Sequence, residues 1–322
     1  MTQLGSSGLD VFPLALGTNT FGWTAPAEES FRILDAFVDG GGNLVDTADV
    51  YSVWVPGNGG GVSETVIGDW LASRGQRDRV VLSTKVAGLP TRKGLAPENV
   101  AAAAEDSLRR LRTDYIDVYY AHYDDPDTPL HDSIGAFAEL VSRGVVRHVG
   151  LSNFTAERIE EWIGVASRDF PAAVPVTLQP HYNLVARTPY ETAFAPLAAR
   201  HNLGVVPYFG LAGGFLTGKY RSAGDAEGAA RSQMVTPYLN DQGFAVVAAL
   251  SDIAEETGSE PAAVALAWLR EQPDVVAPLA SASRVEQLPT LLQAAKLTLT
   301  REQLDTLGQV SQPFAGSGSD AG

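Results

Sequence analysis

The sequence contains no cysteine. Disulfide bonds, thiolate catalysis and cysteine-ligated zinc are therefore excluded together. It also lacks any run of about 18 apolar residues, so no membrane-spanning helix is expected. The segment Met1–Val11 has neither lysine nor arginine and no apolar core, so a secretory signal is not expected there. These absences predict a cytoplasmic protein without a membrane partner.

Basic residues are few relative to acidic ones. The sequence has 23 lysines and arginines against 38 aspartates and glutamates, a formal net charge of −15. A negative surface repels phosphate backbones and anionic lipids, so nucleic acid is not an expected partner. A local pocket can still carry positive potential and hold an anionic cofactor. With 45% hydrophobic and 19% charged residues, the composition is that of an ordinary globular protein.

Continuous apolar runs alternate with amphipathic stretches along the 322 residues. Such runs are typical of parallel strands that are buried on both faces. We predict eight strands, at Leu14–Gly17, Asn43–Thr47, Val80–Lys85, Tyr115–His122, Val146–Asn153, Val176–Tyr182, Val205–Tyr208 and Val275–Ala280. We predict helices at Glu28–Gly40, Glu64–Arg74, Pro97–Leu111, Leu130–Arg143, Thr155–Ser167, Tyr190–Arg200, Gln242–Thr257, Pro261–Arg270 and Val285–Ala295.

Eight strand–helix units in order predict an α/β fold, a (β/α)8 TIM barrel formed as one domain by residues 1–322. A hairpin over residues 1–11 is expected to close the barrel bottom, and residues 314–322 to form a flexible tail. The polar segment Ser222–Gly243 is expected to be a largely structureless lid. The alternative, a doubly wound sheet, would need a G-x-G-x-x-G motif after an early strand, whereas Gly40–Gly42 precedes one.

Polar residues stand at the ends of three successive predicted strands. In a β/α barrel the carboxyl ends of the strands form the active site. Asp46, Lys85 and His122 lie there, and Tyr51 follows Asp46 in the next loop. A lysine beside a tyrosine favours the phenolate, so the four residues form a general acid facing a carbonyl that receives hydride. Taken singly, they are also explained as a turn cap, a solvated strand end and a core histidine.

Around these residues the sequence resembles the aldo-keto reductase family. Asp46-Thr47-Ala48-Asp49-Val50-Tyr51 is similar to its D-T-A-x-x-Y signature, and Ser83-Thr84-Lys85 to the segment with its lysine. The segments Asp114–His122 and Gly144–Phe154 resemble two further motifs, D-Y-(I/L)-D-(L/V)-Y-x-x-H and G-x-(I/V)-R-x-(I/V)-G-(L/V)-S-N-F. The resemblance extends from Gly17 to about Leu292 and implies NADPH-dependent reduction of an aldehyde or ketone. It implies that Tyr51 donates the proton, that Lys85 lowers the pKa of Tyr51 and pairs with Asp46, and that His122 positions the carbonyl.

The resemblance also implies a nicotinamide cofactor that lies across the barrel mouth. Ser152, Asn153 and Gln179 match the residues that hold its carboxamide, and Tyr208 matches the aromatic that stacks under its ring. The segment Leu211–Lys219 resembles the loop around the pyrophosphate. Arg284 suits a 2′-phosphate through its planar fork of donors, which favours NADPH over NADH. The full set of expected cofactor residues is Gly17, Thr18, Asn19, Asp46, Ser152, Asn153, Gln179, Tyr208, Phe209, Gly210, Leu211, Gly213, Gly214, Lys219, Ser281, Ser283, Arg284 and Gln287.

The expected substrate is a small carbonyl compound. Trp23, Trp54 and Tyr123 lie in loops that follow predicted strands, where with Tyr51 and His122 they either wall an apolar pocket or simply anchor the loops. No metal site is predicted, and the protein is expected to be a monomer or a homo-oligomer. Two alternatives stay open: dehydrogenation of a sugar or hydroxy compound by the same residues, and a cofactor-sensing accessory subunit.

Overall fold

Eight parallel strands form one curled sheet in the computed structural model, which describes residues 1–226 and 232–315. A two-stranded hairpin precedes them. The strands are β1 (Thr2–Gln3), β2 (Asp10–Val11), β3 (Ala15–Gly17), β4 (Leu44–Asp46), β5 (Val81–Val86), β6 (Ile116–Ala121), β7 (Val146–Ser152), β8 (Pro175–Gln179), β9 (Gly204–Val205) and β10 (Leu279–Ser281).

The sheet closes into a barrel. Each of β3 to β8 pairs with the next strand along the chain, and β10 pairs back with β3. The remaining gap is bridged between Val205 in β9 and Val275, and the backbone N–H of Leu279 donates to the carbonyl of Pro207 at 3.0 Å. The predicted (β/α)8 barrel is therefore confirmed.

Helices follow the strands and cover the outside of the barrel. They are α1 (Ala27–Asp39), α2 (Val62–Arg74), α3 (Pro97–Leu111), α4 (Leu130–Ser142), α5 (Ala156–Asp169), α6 (Ala195–His201), α7 (Ser232–Val235), α8 (Asp241–Thr257), α9 (Pro261–Arg270), α10 (Leu288–Ala294) and α11 (Arg301–Val310). Among the described residues, no helix is long and apolar enough to cross a membrane.

Prolines account for several of the larger differences from the predicted bounds. The predicted helix Tyr190–Arg200 is a π-helical turn followed by α6, because Pro196 lacks an N–H and crowds the carbonyl one turn earlier. The strand predicted to reach Tyr182 ends before Pro180. The last two barrel strands are short because Pro207 and Pro278 cannot donate to the ladder.

The C-terminal third holds helices that the sequence analysis did not predict. Helix α11 begins with a capping box, in which the Thr300 hydroxyl accepts from the Gln303 backbone N–H and the Gln303 side chain accepts from that of Thr300. The expected lid Ser222–Gly243 contains α7 and short 3-10 turns, and its residues 227–231 lie outside the described ones. Of the expected tail, 316–322 also lies outside them, and the Phe314 carbonyl accepts from the backbone N–H of Arg187.

The N-terminal hairpin lies against the bottom of the barrel. Leu4 is fully buried in a cluster that includes Leu44, Val81 and Val118, which are interior residues of three neighbouring strands. A Cβ on Gly5 would lie 2.1 Å from the carbonyl oxygen of Val176, at the start of β8. The hairpin turn therefore closes the bottom, as predicted.

Side chains alternate along each strand, so every second residue faces the barrel interior from the bottom to the open end. Val81 belongs to the interior cluster, while Leu82 and Val86 pack in the outer layer against the helices. Since successive side chains in a strand point to opposite faces, Ser83 and Lys85 project inward above Val81. The register thus places a buried lysine at the open end of the barrel.

Substitutions of the hairpin residues Gly5 and Gly8 distinguish two contributions to the free energy of unfolding, steric packing against the barrel and backbone strain. Both Gly5 and Gly8 have positive φ, +54° and +75°, but no atom lies within 4 Å of a Cβ on Gly8. Gly8→Ala is expected to lower the free energy of unfolding by about 1 kcal/mol through strain alone. Gly5→Ala is expected to cost at least about 1 kcal/mol more because of the clash. Urea denaturation measures both, and equal losses would show that the turn does not press on the barrel.

Candidate active site

A fully buried ion pair lies at the barrel mouth. The Lys85 and Asp46 side chains are 0% and 1% exposed, and the Lys85 Nζ donates to the Asp46 Oδ2 at 2.6 Å. Nζ also donates to the Thr47 carbonyl at 2.7 Å and to the Tyr51 hydroxyl at 3.0 Å. Three acceptors match the three donors of an ammonium group, so this geometry favours the charged lysine.

The other oxygen of Asp46 accepts hydrogen bonds from β5 and from one further strand, β8. The Ser83 hydroxyl donates to Oδ1 at 2.7 Å, and the Gln179 Nε2 donates to it at 3.0 Å. The sequence analysis gave Ser83 no role. A signal was present, because Ser83 and Lys85 are two residues apart in one strand and so share a face. Ser83 helps fix the carboxylate that holds the lysine.

Tyr51 lies in the loop after β4, partly exposed, with its hydroxyl 3.5 Å from the Asp46 Oδ2. Burial, and then the negative charge of Asp46, raise the pKa of Tyr51 well above its ordinary value. The resemblance implied that Lys85 lowers this pKa. In the structure the pKa of Tyr51 is shifted upward instead, and burial and the charge of Asp46 are the largest causes. The phenol therefore keeps its proton at neutral pH.

His122 presents a neutral imidazole next to Tyr51. Strand β6 ends one residue earlier than predicted, and the His122 backbone N–H donates to the Val86 carbonyl at 3.0 Å. Burial, and then the charge of Lys85, lower the pKa of His122 well below its ordinary value. Its Nδ1 is buried and has no hydrogen-bond partner among the described residues. The ring centroid lies 6.4 Å from that of Tyr51 and 4.5 Å from that of Tyr123.

The residues expected to hold a carboxamide lie together beside the ion pair. Ser152 and Gln179 end β7 and β8, and the Ser152 hydroxyl donates to the Gln179 carbonyl at 2.8 Å. The Asn153 Nδ2 donates to the His122 carbonyl at 2.9 Å, and the Tyr208 hydroxyl donates to the Asn153 Oδ1 at 2.8 Å. A hydroxyl and two amides offer donors and acceptors side by side, so this donor set fits the nicotinamide carboxamide.

Tyr208 stacks on a histidine that the sequence analysis did not single out. The rings of Tyr208 and His181 are nearly parallel, 16° apart, with centroids at 5.4 Å. Burial lowers the pKa of His181, so its ring is neutral at neutral pH. The sequence signal that could have identified His181 is its position, as a polar aromatic residue two places after Gln179. His181 and the bond to Asn153 hold the Tyr208 ring from two directions.

The expected pyrophosphate loop has an unusual backbone. Phe209, Ala212, Gly213 and Gly214 all have positive φ, between +48° and +98°. A Cβ on Gly214 would lie 3.1 Å from the Lys219 Nζ, so the glycine lets the ammonium approach the backbone closely. A loop with left-handed turns and a nearby ammonium fits a phosphate group.

The expected adenine-side residues lie at and after β10. The Ser281 hydroxyl donates to the Asn19 Oδ1 at 2.7 Å. The Gln287 side chain accepts from the backbone N–H groups of Ser283 and Arg284, at 2.8 and 3.2 Å, so it caps this turn. Arg284 is exposed, and among the described residues it forms no ion pair. Its guanidinium is therefore available for a phosphate.

Two of the expected cofactor residues pack behind the site surface. Thr18 is fully buried, and its hydroxyl donates to the Asp46 carbonyl at 2.9 Å. Gly17 ends β3, where a Cβ would lie 2.4 Å from the Leu279 Cδ2. Gly17 thus lets the first and last barrel strands approach closely, and Thr18 joins the end of β3 to the end of β4. The remaining two loop residues of the expected set, Gly210 and Leu211, lie between Phe209 and Ala212 in the loop described above.

Aromatic side chains gather over Tyr51 and His122. Trp23 and Trp54 meet edge to face with centroids 5.7 Å apart, and the Trp54 centroid lies 6.3 Å from that of Tyr51. Trp54 and Tyr123 are 47% and 46% exposed, unusual for such large rings. The two tryptophans are thus linked through Trp54 to the Tyr51 ring, and Tyr123 stacks on His122.

Comparison with known proteins gives consistent matches over the whole chain. A sequence model of the Aldo/keto reductase family matches residues 13–312. The uncharacterized oxidoreductase YrpG of Bacillus subtilis (strain 168) is 35% identical, over 99% of this chain and 97% of that protein. A probable voltage-gated potassium channel subunit beta of Arabidopsis thaliana is 33% identical, over 96% of each. An aryl-alcohol dehydrogenase (NADP(+)) of Phanerodontia chrysosporium is 29% identical, over 95% of this chain and 84% of that protein.

A double-mutant cycle tests the buried pair. Asp46→Asn and Lys85→Met each leave a buried group without its partner, so each is expected to lower the free energy of unfolding by about 3 kcal/mol. The double variant removes both charges, so its loss is expected to be smaller than the sum by at least about 1 kcal/mol. Urea denaturation of the four proteins measures this coupling. Strictly additive losses would contradict a coupled ion pair.

Proposed function

Since this chain belongs to the aldo/keto reductase family, we propose that it reduces an aldehyde or ketone to an alcohol with NADPH, and that Tyr51 supplies the proton. Family membership makes it an oxidoreductase of carbonyl and alcohol groups that uses a nicotinamide cofactor. The observation that carries the proposed mechanism is the Lys85 ammonium, which is hydrogen-bonded to Asp46 and Tyr51 at once.

Residues of the chain itself donate the proton and position the carbonyl oxygen. Tyr51 keeps its proton until a substrate oxygen gains negative charge, and then donates it. The phenolate left behind lies 3.0 Å from the Lys85 ammonium, which stabilises it. His122, neutral and beside Tyr51, positions the carbonyl oxygen by a hydrogen bond. When bound, the nicotinamide supplies the hydride to the carbonyl carbon.

Separate parts of the mouth are proposed to hold the cofactor. Ser152, Asn153 and Gln179 bind the carboxamide, and Tyr208 carries the ring. The loop that ends at Lys219 accepts the pyrophosphate. Arg284 binds the 2′-phosphate, which is the reason for NADPH over NADH, and one relative carries NADP(+) in its name.

The proposed substrate is a carbonyl compound with an apolar or aromatic body. Trp23, Trp54 and Tyr123 wall the approach to Tyr51, and aromatic walls favour flat apolar groups. The name of the aryl-alcohol dehydrogenase relative supports this class. A cytoplasmic location stays a prediction from the sequence.

Removing the Tyr51 hydroxyl tests the mechanism. Tyr51→Phe deletes the proton donor, so kcat is expected to fall by at least about 100-fold. The dissociation constant of NADPH, measured by fluorescence titration, is expected to stay within about twofold, because cofactor contacts are untouched. Tyr115→Phe is the matched control, since Tyr115 immediately precedes β6, at the opposite end of the barrel. Near-native turnover in Tyr51→Phe would refute the assignment.

Arg284 is proposed to distinguish the two nicotinamide cofactors. Arg284→Ala removes a guanidinium that meets a phosphate present only in NADPH, so NADPH affinity is expected to fall about tenfold and NADH affinity to stay unchanged. Fluorescence titration of both cofactors measures this. Arg301→Ala, at another exposed arginine, serves as control. An equal loss for both cofactors would contradict a 2′-phosphate role.

The similarity to a potassium channel subunit supports a second candidate function. A protein named as a probable voltage-gated potassium channel subunit beta is 33% identical over nearly the whole chain, and this supports an accessory role as the second candidate. Dehydrogenation of a sugar or hydroxy compound would use the same Tyr51 in reverse. Turnover measured on a panel of carbonyl compounds with NADPH, and on a panel of alcohols with NADP+, distinguishes the reductase, the dehydrogenase and the accessory subunit. Tight cofactor binding without turnover on either panel would favour the accessory role.

A further inference from the structure

A fully buried asparagine lies behind the residues that are proposed to carry the nicotinamide ring. Asn183 is 0% exposed and lies in the loop after β8, two residues beyond His181. The sequence analysis gave it no role, and the mechanism described so far does not use it. A buried amide is costly unless its hydrogen bonds are made, so its partners show which parts of the chain it holds.

The oxygen and both N–H groups of the Asn183 side chain have partners. The Oδ1 accepts from the Val185 backbone N–H at 2.8 Å, which fixes the orientation of the amide. The Nδ2 then donates to the Phe209 carbonyl at 3.0 Å and to the His181 Nε2 at 3.4 Å. Because an amide nitrogen only donates, the Nε2 accepts and the proton of the neutral ring lies on Nδ1. One side chain thus joins the loop after β8 to the loop after β9.

The carbonyl that Asn183 holds belongs to a strained residue. Phe209 has a φ of +56°, in the left-handed region that residues other than glycine rarely adopt. Its carbonyl accepts a second hydrogen bond, from the Ala212 backbone N–H at 2.7 Å. A strained backbone persists only where its surroundings hold it, and such residues cluster at ligand sites. These two bonds therefore hold the turn at which the pyrophosphate loop begins.

Tyr208 lies between the two groups that Asn183 binds. The Tyr208 backbone N–H donates to the Pro180 carbonyl at 2.9 Å, and its backbone forms a parallel bridge with His181. Its ring stacks on the His181 ring, and Phe209 follows it directly in the chain. Asn183 therefore orients the ring against which Tyr208 packs and fixes the backbone of the next residue. A shift of either would move the Tyr208 ring.

We propose that Asn183 is a positioning residue for the cofactor: its buried amide holds the left-handed turn at Phe209 and the ring of His181, and thereby places Tyr208 and the start of the pyrophosphate loop. This inference rests on the proposed function, in which Tyr208 carries the nicotinamide ring and the loop that ends at Lys219 accepts the pyrophosphate. Without the amide, the Phe209 backbone is free to relax to negative φ. Cofactor binding then has to restore the turn first, which weakens it.

Asn183→Ser tests this inference in the intact chain. A serine hydroxyl accepts from the backbone N–H two residues on, as the Asn183 Oδ1 does from Val185, so the local turn is kept. The shorter side chain lacks the Nδ2 donors, so the bonds to Phe209 and His181 are lost. The dissociation constant of NADPH, measured by fluorescence titration, is expected to rise about tenfold.

Asn43→Ser is the matched control. The Asn43 side chain also accepts from one backbone N–H, that of Phe12 at 2.8 Å, and donates to one backbone carbonyl, that of Asp10 at 2.9 Å. These bonds hold the N-terminal hairpin at the barrel bottom, so the NADPH dissociation constant is expected to stay within about twofold. Asn183→Asp keeps the side-chain shape without any N–H donor. It is measured in parallel, in case Asn183→Ser fails to fold, and is expected to weaken NADPH binding in the same way.

Two substitutions of Phe209 separate the role of its backbone from that of its ring. Phe209→Gly and Phe209→Ala both remove the ring, but only glycine adopts positive φ at no steric cost. Combined with Asn183→Ser, Phe209→Gly is therefore expected to bind NADPH at least about threefold more tightly than Phe209→Ala. With Asn183 present, the amide holds the turn in both variants, and their affinities are expected to agree within about twofold. A role of Asn183 in stability alone would give no such difference.

The outcomes distinguish this inference from the proposed function. A weaker NADPH affinity in Asn183→Ser that Phe209→Gly relieves more than Phe209→Ala supports it. An unchanged NADPH dissociation constant overturns it. An equal loss with both substitutions of Phe209 also overturns it, because Asn183 would then not act through the backbone of that residue. If the wild type binds NADPH but turns over no carbonyl compound, the proposed reduction fails, and the titrations still decide the role of Asn183.

Discussion

The ion pair between Lys85 and Asp46 is the constraint around which the barrel mouth is arranged. Both side chains are essentially inaccessible to solvent, and such a pair persists only when its remaining donors and acceptors are satisfied. Thr47, Tyr51, Ser83 and Gln179 supply those bonds. They come from the loop after β4 and from the strands β5 and β8, so the full set of bonds requires elements that are far apart in the chain. The site is therefore a property of the whole fold.

The barrel supports this arrangement from below. Its lower interior is filled by apolar side chains such as Leu44, Val81 and Val118, and the hairpin residue Leu4 covers them. Above them, the same faces of β4 and β5 carry Asp46, Ser83 and Lys85. Water is thereby excluded from beneath the pair, which strengthens its electrostatic interactions and shifts the pKa values of the groups around it. The upward shift at Tyr51 and the downward shifts at Lys85 and His122 have this common first cause.

Much of the fold followed from patterns along the chain. Apolar runs spaced by amphipathic stretches located all eight barrel strands, and glycines and polar turns located the hairpin. Strand ends were less predictable where Pro180, Pro207 and Pro278 interrupt the ladder, although proline chemistry explains each afterwards. Helix α11 was missed even though the Thr300 capping box marks its start. Local sequence patterns were thus sufficient to locate the barrel strands, and the capping box at Thr300 would also have located α11.

The sequence by itself determined which groups stand at strand ends: Asp46, Lys85 and His122, with Tyr51 in the following loop. Strand periodicity and motif spacing are local, so they can be read without a fold. Only the tertiary structure decided what surrounds those groups. It showed Ser83 and Gln179 on Asp46, His181 stacked on Tyr208, and the carboxyl of Asp49 buried with no hydrogen-bond partner in the part of the chain that the structure describes. It also reversed the expected direction of the Tyr51 pKa. Burial and charge environment depend on residues far apart in the chain, and these come together only when the barrel closes.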